Sequence, residues 1–141
     1  MLKGLHPLIS PPLLNVLAEM GHGDELAIVD ANFPAATNAQ RLVHAAGLEA
    51  PSVLEAVLTL LPLDDFVQHP AAIMTSGEPD RPPIAAIFDF LLQAAEGRAV
   101  PIEELDRSAF YGRAAGAFAV VATGERRLYG NILLRKGVIR S

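Results

Sequence analysis

Hydrophobic and polar positions along the 141-residue chain form two alternating kinds of segment. Apolar residues at helical spacing predict helices over about residues 11–20, 52–61, 84–96 and 107–115. Short apolar runs bounded by turn residues predict β-strands over about residues 25–30, 41–45, 71–75, 117–123 and 131–135. Because helices and strands alternate, we expect an α/β fold in which helices flank a largely parallel sheet.

Residues at the predicted helix ends support this assignment. Ser10 and Asp106 are suited to N-cap two of the helices, and Gly97 to end a third. Ser52 and Glu55 have the spacing of a capping box at the start of the helix over residues 52–61. The chain contains no repeat and no linker, so we expect residues 1–141 to form a single domain.

The composition indicates an assembly of identical chains. Hydrophobic residues make up 51% of the chain and charged residues only 19%. The mean hydropathy of +0.32 is high for a chain of 15.0 kDa, whose surface is large relative to its volume. Burial of apolar surface between copies would remedy this, and we expect a homo-oligomer. The net charge of −5 argues against a nucleic-acid partner.

The sequence contains no cysteine, which excludes disulfides, thiolate metal sites and cysteine nucleophiles. This composition fits a cytoplasmic protein. We expect no membrane span, because the interior stretches without charge, such as residues 114–124, are shorter than the roughly 20 residues that a spanning helix needs. Prolines interrupt the uncharged residues 4–18, so we do not expect a signal peptide.

A histidine between two glycines is the first candidate for chemistry. His22 stands in the segment Gly21-His22-Gly23-Asp24, between a predicted helix and a predicted strand. Flanking glycines leave an imidazole uncrowded, and an imidazole exchanges protons near neutral pH. The alternative is an exposed histidine without function in a loop that ends a helix.

Asp30 ends the following apolar strand, where α/β proteins commonly place ligand-binding groups. Its carboxylate could orient an imidazole or accept hydrogen bonds from sugar hydroxyls, or it could simply shape the turn that follows. A metal site is the less favoured interpretation, because the spacing of His22, Asp24, Glu25 and Asp30 matches no established ligand pattern. We expect no metal and no cofactor.

Polar residues near the C-terminus form a third candidate. Tyr129 and Asn131 flank Gly130 at the start of a predicted strand, and a glycine there permits close approach of another group. Phenol and amide groups both donate and accept hydrogen bonds, as a polyol ligand requires. The alternative is a β-hairpin with a packed tyrosine. Arg107, at the start of a predicted helix, could point into a pocket or pair with a surface carboxylate.

These segments together resemble one family. The stretches Pro7-Leu8-Ile9-Ser10-Pro11, Met20-Gly21-His22-Gly23-Asp24-Glu25 and Asp30-Ala31-Asn32-Phe33-Pro34-Ala35 are similar to the N-terminal half of the L-fucose mutarotases. The stretches Arg107-Ser108-Ala109-Phe110-Tyr111 and Tyr129-Gly130-Asn131-Ile132-Leu133-Leu134 resemble the C-terminal motifs of that family, in the same order. The related D-ribose pyranases share the histidine loop and a C-terminal Tyr-x-Asn, but tend to have histidine at position 107.

The resemblance implies a carbohydrate isomerase that interconverts the α and β anomers of a monosaccharide. The motifs favour L-fucose as that sugar. The resemblance also implies that His22 is the proton donor and that Asp30, Arg107, Tyr129, Gly130 and Asn131 bind the sugar. From the chemistry of ring opening, we further expect Tyr129 and Arg107 to polarise the sugar or relay protons at the opposite side of the ring. The resemblance further implies a ring-shaped oligomer, often a decamer. The alternatives are the pyranose–furanose interconversion of a D-ribose pyranase and a sugar-binding module without catalysis.

Overall fold

Helices and strands alternate throughout the computed structural model, which describes residues 1–141. The helices are α1 (Pro11–Glu19), α2 (Ala35–Asn38), α3 (Ala50–Leu58), α4 (Ile84–Glu96) and α5 (Arg107–Ala115). The strands are β1 (Glu25–Val29), β2 (Leu42–Ala45), β3 (Ala71–Met74), β4 (Ile102–Leu105), β5 (Ala119–Thr123) and β6 (Ile132–Arg135). None of the helices combines the length and the apolar character that a bilayer crossing requires.

All the strands belong to one sheet, in the order β2–β5–β1–β6–β3–β4. β5 is parallel to β1 and to β2, and β3 is parallel to β4. β6 is antiparallel to both of its neighbours, β1 and β3, so it alone runs in the opposite direction. The prediction of a largely parallel sheet flanked by helices is confirmed.

Helices cover both faces of the sheet. Successive side chains of a central strand point to opposite faces, and on each face they enter an apolar cluster that includes helix residues. In β1, Leu26 and Ile28 belong to a cluster of 27 buried residues that also contains the buried residues of α1, α3 and α4. Ala27 and Val29 belong to a cluster of 11 that contains those of α2 and α5. Burial on both faces explains why this strand is continuously apolar in sequence.

The predicted ends of α1, α4 and α5 are confirmed. The Ser10 hydroxyl accepts a hydrogen bond from the Leu13 N–H at 3.3 Å, and the Asp106 carboxylate accepts one from the Ala109 N–H at 2.7 Å. Gly97 follows α4 with a φ of +70°, a conformation that favours glycine. Local side-chain chemistry therefore sets these helix ends.

The capping box predicted at Ser52 and Glu55 is wrong, because α3 begins earlier, at Ala50. Its flanking residue, Glu49, makes no side-chain cap. The Glu125 carboxylate instead accepts a hydrogen bond from the Ala50 N–H at 3.3 Å, from 75 positions further along the chain. A cap supplied by a distant residue leaves no trace in the local sequence.

The sequence patterns missed β4 and α2. β4 reads Ile-Glu-Glu-Leu and lies at an edge of the sheet, with only part of its surface buried, so it lacks a continuous apolar run. α2 has four residues and one buried side chain, too few for a helical pattern. The alternative of a β-hairpin near the C-terminus is also wrong, because β1 lies between β5 and β6.

The strand directions give the sheet two ends with different loops. The strands β1, β3, β4 and β5 all finish at one end of the sheet, which we call the carboxyl edge. β6 starts at this end, because it runs in the opposite direction. We call the other end the amino edge; it carries the loop before β1 and the residues that follow β6. The candidate residues are distributed between these two edges.

Candidate functional site

Asp30 and Asn131 lie side by side at the carboxyl edge. Because Ile28 pairs with Ile132, the residue after β1 meets the residue before β6. The Asp30 N–H donates to Asn131 Oδ1 at 2.8 Å, and Asn131 Nδ2 donates to Asp30 Oδ2 at 3.1 Å. Both residues are buried, and the other Asp30 oxygen accepts a hydrogen bond from the Asn32 N–H at 3.0 Å. The two strands thus hold a carboxylate and an amide in fixed positions.

Tyr129 precedes this pair in a backbone conformation that is rare for a residue with a side chain, with a φ of +58°. Next to it, Gly130 has no room for a side chain, since a Cβ there would lie 2.7 Å from Glu125 Cγ. The glycine therefore accommodates Glu125, whereas the sequence suggested that it makes room for an approaching ligand. Strained conformations persist only where the surroundings enforce them, so the backbone at Tyr129 is held by the residues around it.

The Glu125 carboxylate binds the chain just before Tyr129. Its side chain is 1% exposed and accepts hydrogen bonds from the Arg127 N–H, Nε and Nη2 at 2.9, 3.1 and 2.8 Å. Burial alone would raise the pKa of Glu125, but the hydrogen bonds and charge of Arg127, with the Ala50 N–H, outweigh it and hold the pKa below its ordinary 4.5. An ionised carboxylate thus ties the tyrosine loop to the start of α3.

A cleft of about 410 Å³ opens beside Tyr129. It is lined by Arg127, Leu128 and Tyr129 on one side and by residues of the segment Ser76–Ile84 on the other. Its volume lies within the range of small-molecule sites, and its walls carry hydroxyl, carboxylate and guanidinium groups that can bind a polyol.

Arg107 opens α5 at the same edge. β4 ends beside β3, where Leu105 O accepts a hydrogen bond from the Thr75 N–H at 2.8 Å, and Arg107 lies just beyond. The arginine is exposed, makes no ion pair within the chain and does not line the cleft beside Tyr129. Its guanidinium is therefore open to a ligand or to a neighbouring molecule, and the surface ion pair considered from sequence does not form.

His22 lies at the opposite end of the sheet, on the amino edge. Its loop is closed by two hydrogen bonds: Gly23, with a φ of +89°, donates its N–H to Lys136 O at 2.8 Å, and the Gly21 N–H donates to Asp24 Oδ2 at 2.8 Å. The side chain of His22 is 45% exposed. The loop holds the imidazole open to solvent, as the flanking glycines predict.

Asp64, in the segment between α3 and β3, is the partner of this imidazole. His22 Nε2 lies 3.1 Å from Asp64 Oδ1, and Arg135 Nε donates to Asp64 Oδ2 at 3.0 Å. Burial alone would raise the pKa of Asp64, but hydrogen bonds from the Phe66 N–H, His22 and Arg135 outweigh it and hold the pKa below its ordinary 3.8. An ionised, buried carboxylate therefore supports an exposed imidazole.

The predicted site residues thus form two groups. Asp30, Arg107, Tyr129, Gly130 and Asn131 lie at the carboxyl edge, and His22 lies at the amino edge. β1, with five residues, separates the two groups by roughly 16 Å at about 3.3 Å per residue. The hypothesis that Asp30 orients an imidazole does not hold within one chain, because His22 pairs with Asp64 instead.

Sequence reasoning missed Asp64 and Arg135. Asp64 is fully buried and its neighbour Asp65 is exposed, yet nothing in the local pattern distinguishes the two aspartates. Arg135 ends β6, and only the pairing of distant segments brings it to Asp64. Neither residue carried a signal that the sequence alone could reveal.

Comparison with known proteins gives a consistent result. The sequence model of the RbsD / FucU transport protein family matches residues 3–139. The fucose mutarotase of Homo sapiens is 47% identical over 146 residues, which cover 98% of this chain and 94% of that protein. The L-fucose mutarotase of Glaesserella parasuis serovar 5 is 46% identical over 140 residues, which cover 98% of this chain and 96% of that protein.

A solved structure agrees with these relatives. The fucose mutarotase from Streptococcus pneumoniae, in complex with L-fucose, superimposes with a TM-score of 0.92 at 41% identity and covers 99% of this chain and all of its own. The resemblance seen in the sequence motifs is confirmed along almost the whole chain. The chain therefore belongs to the RbsD / FucU transport protein family.

Proposed function

We propose that this chain is a mutarotase that interconverts the α and β anomers of L-fucose by acid–base catalysis. The observation that carries the proposal is the similarity, over nearly the whole chain, to fucose mutarotases, one of them in complex with L-fucose. The two groups of side chains described above supply the kinds of group that this reaction needs.

Exchange of anomers opens and recloses the hemiacetal ring of the sugar. The anomeric hydroxyl loses a proton, the bond between C1 and the ring oxygen breaks, and the ring oxygen gains a proton. Rotation about the C1–C2 bond then lets the same oxygen attack the other face of the aldehyde. No electrons are transferred to or from the sugar, so general acid–base groups, which contribute about 10²–10⁴-fold each, are sufficient.

His22 is the proposed acid–base group, because its imidazole is exposed and hydrogen-bonded to an ionised carboxylate. At the carboxyl edge, Asp30 and Asn131 hold sugar hydroxyls. Tyr129 contributes a phenol that polarises or relays a proton at the far side of the ring, and Arg107 contributes a free guanidinium. The backbone of Gly130 completes the sugar-binding segment.

A monosaccharide is far smaller than the separation between these two groups, so we propose that two copies of the chain share each site. The amino edge of one copy would face the carboxyl edge of the next. Exposed apolar side chains at both edges support this arrangement: Phe66, beside His22, is 65% exposed, and Leu128, beside Tyr129, is 70% exposed. Repeated head-to-tail contacts close into a ring, and a ring-shaped decamer is the form that the family resemblance suggests.

A cytoplasmic setting is part of the proposal, because a chain without cysteine gains nothing from an oxidising compartment. The same composition excludes a thiol nucleophile and a thiolate metal ligand from the reaction.

Saturation-transfer NMR with L-fucose tests the proposed activity. Saturation of the H1 signal of one anomer should decrease the H1 signal of the other when catalytic amounts of protein are present, beyond the exchange without protein. Binding of fucose without transfer of saturation would show that the chain is a sugar-binding module and not an enzyme. Transfer between the pyranose and furanose forms of D-ribose, without transfer for fucose, would assign the chain to the pyranases. Galactose and rhamnose in the same panel define the specificity.

A further inference from the structure

Asp64 is a buried carboxylate next to His22, and the reaction described above gives it no step of its own. Burial of a charge is costly unless its oxygen atoms are hydrogen-bonded. Oδ1 accepts the Phe66 N–H and Oδ2 accepts Arg135 Nε, each at 3.0 Å. His22 Nε2, 3.1 Å from Oδ1, is the remaining partner. All the neighbours of this carboxylate are therefore hydrogen-bond donors.

The backbone around Asp64 is fixed independently of His22. The Asp64 N–H donates to Arg135 O at 3.0 Å, and the Gly137 N–H donates to Pro62 O at 2.8 Å. The segment that follows β6 and the segment around Asp64 approach so closely that a Cβ at Gly137 would lie 2.5 Å from Leu63 O. The end of β6 therefore anchors the carboxylate, which gives the more exposed imidazole a fixed partner.

This arrangement selects one tautomer of His22. An ionised carboxylate only accepts hydrogen bonds, so the proton of the neutral imidazole lies on Nε2. Nδ1 is then unprotonated, and it has no hydrogen-bond partner within the chain. The Phe66 ring packs against the imidazole with centroids 5.2 Å apart and a tilt of 54°, which limits rotation of the ring. Nδ1 is thus the nitrogen left to meet a ligand.

We propose that Asp64 is a positioning residue that holds His22 as the Nε2–H tautomer and presents Nδ1 to the sugar. The proposal rests on His22 being the acid–base group of the proposed function. Nδ1 takes the proton of the anomeric hydroxyl, the adjacent carboxylate stabilises the imidazolium, and Nδ1 returns the proton to the ring oxygen. Because Asp64 does not touch the sugar, its loss affects kcat more than KM.

The variant Asp64→Asn tests this role. An amide has one oxygen and no charge, so its NH2 group faces either His22 and the Phe66 N–H or Arg135. In the first case it donates to Nε2 and shifts the ring proton to Nδ1, and in the second case the imidazolium loses the negative charge that stabilises it. We expect kcat for anomer exchange to fall by at least about 10-fold, as with other hydrogen-bond partners that orient a histidine, with a much smaller change in KM. In the sugar-free protein, ¹H–¹⁵N correlation through two bonds should show the Nε2–H form in wild type and a gain of the Nδ1–H form in the variant.

Asp65→Asn is the matched control, because Asp65 binds Arg140 at 2.8 and 3.0 Å and does not contact His22. It should keep both the wild-type tautomer and the wild-type kcat. A wild-type His22 protonated on Nδ1, with its signals assigned by their loss in His22→Ala, would overturn the proposal even if Asp64→Asn failed to fold. A wild-type kcat in Asp64→Asn would do the same. Full activity in His22→Ala would instead overturn the proposed function.

Discussion

At the residue scale, three buried carboxylates differ in their partners, and their roles follow from that difference. Glu125 binds the Arg127 guanidinium, and Asp64 binds His22 and Arg135. Asp30 accepts hydrogen bonds only from an amide side chain and a backbone N–H. With no cation beside it in the chain, Asp30 has acceptor capacity left, which is consistent with the proposal that it binds sugar hydroxyls.

Replacement of His22 by alanine should abolish most of the anomer exchange. The rate should fall by about 10²-fold or more, because the acid–base group is lost. The circular dichroism spectrum and the sedimentation coefficient should not change, since the side chain is 45% exposed and belongs to a loop. Saturation-transfer NMR measures the rate.

The control for this variant is His44→Ala, which removes an exposed histidine of β2 and should exchange anomers at the wild-type rate. Asp30→Asn should raise KM as well as lower kcat, because that carboxylate is proposed to hold the sugar. Wild-type exchange by the His22 variant would exclude the mechanism and favour a binding role.

At the scale of elements, local patterns were sufficient where an element depends on its own residues. The caps at Ser10 and Asp106 and the apolar run of β1 are local, and the structure contains the elements that they predict. The start of α3 depends on Glu125 and the edge strand β4 depends on β3, so neither could be predicted from neighbouring residues.

The same distinction applies to the candidate site. Glycines mark the His22 loop because they act on its backbone, whereas the pairing of His22 with Asp64 depends on the segments that the fold brings together. The motifs therefore revealed which residues are chemically suited, but not that they lie at opposite edges of the sheet.

Glu125→Gln should destabilise α3 and the tyrosine loop together, because one carboxylate serves both. Loss of the charge-assisted hydrogen bonds should reduce the free energy of unfolding by about 1–3 kcal/mol near neutral pH. The pKa of Glu125 is held below 4.5 in the folded chain, so its contribution is full above that pH and is lost as the pH falls through the range below it. Urea unfolding at fixed protein concentration, compared with wild type across this range, measures the effect.

The difference between Glu125→Gln and wild type should therefore shrink as the solution is acidified. Glu104→Gln is the control: its carboxylate pairs with Arg81 on the surface, and its loss should change stability by less than about 1 kcal/mol. A difference for Glu125→Gln that stayed constant with pH would show that the stabilisation does not depend on ionisation of the Glu125 carboxyl group.

At the scale of the whole molecule, the proposed site requires two copies of the chain. His22 faces outward at one edge and the Asp30–Asn131 pair lies at the other, so each copy would contribute to two different sites. A composition with 51% hydrophobic and 19% charged residues is consistent with surfaces that are covered in an assembly. Oligomerisation would then be a condition for activity as well as for solubility.

Subunit mixing tests this arrangement directly. His22→Ala and Asp30→Asn should each be nearly inactive, but after joint unfolding and refolding at equal amounts, about one quarter of the head-to-tail contacts should pair an intact His22 with an intact Asp30. Anomer exchange should recover to about that fraction of the wild-type rate, as measured by saturation-transfer NMR.

The control for mixing is His22→Ala refolded with the double variant His22→Ala/Asp30→Asn, which restores no intact contact and should stay inactive. Native mass spectrometry confirms that the copies have mixed. Mixed oligomers without recovered activity would place both groups of residues in one copy and refute the shared site.

The antiparallel strand β6 limits how this protein can change in length. Asn131 precedes the strand and Arg135 ends it, and because side chains alternate along a strand, these two residues point to the same face of the sheet. One meets Asp30 and the other meets Asp64. An insertion or deletion of a single residue between them would turn one of the two to the opposite face. A variant that retains both contacts must therefore keep the spacing of four positions between Asn131 and Arg135.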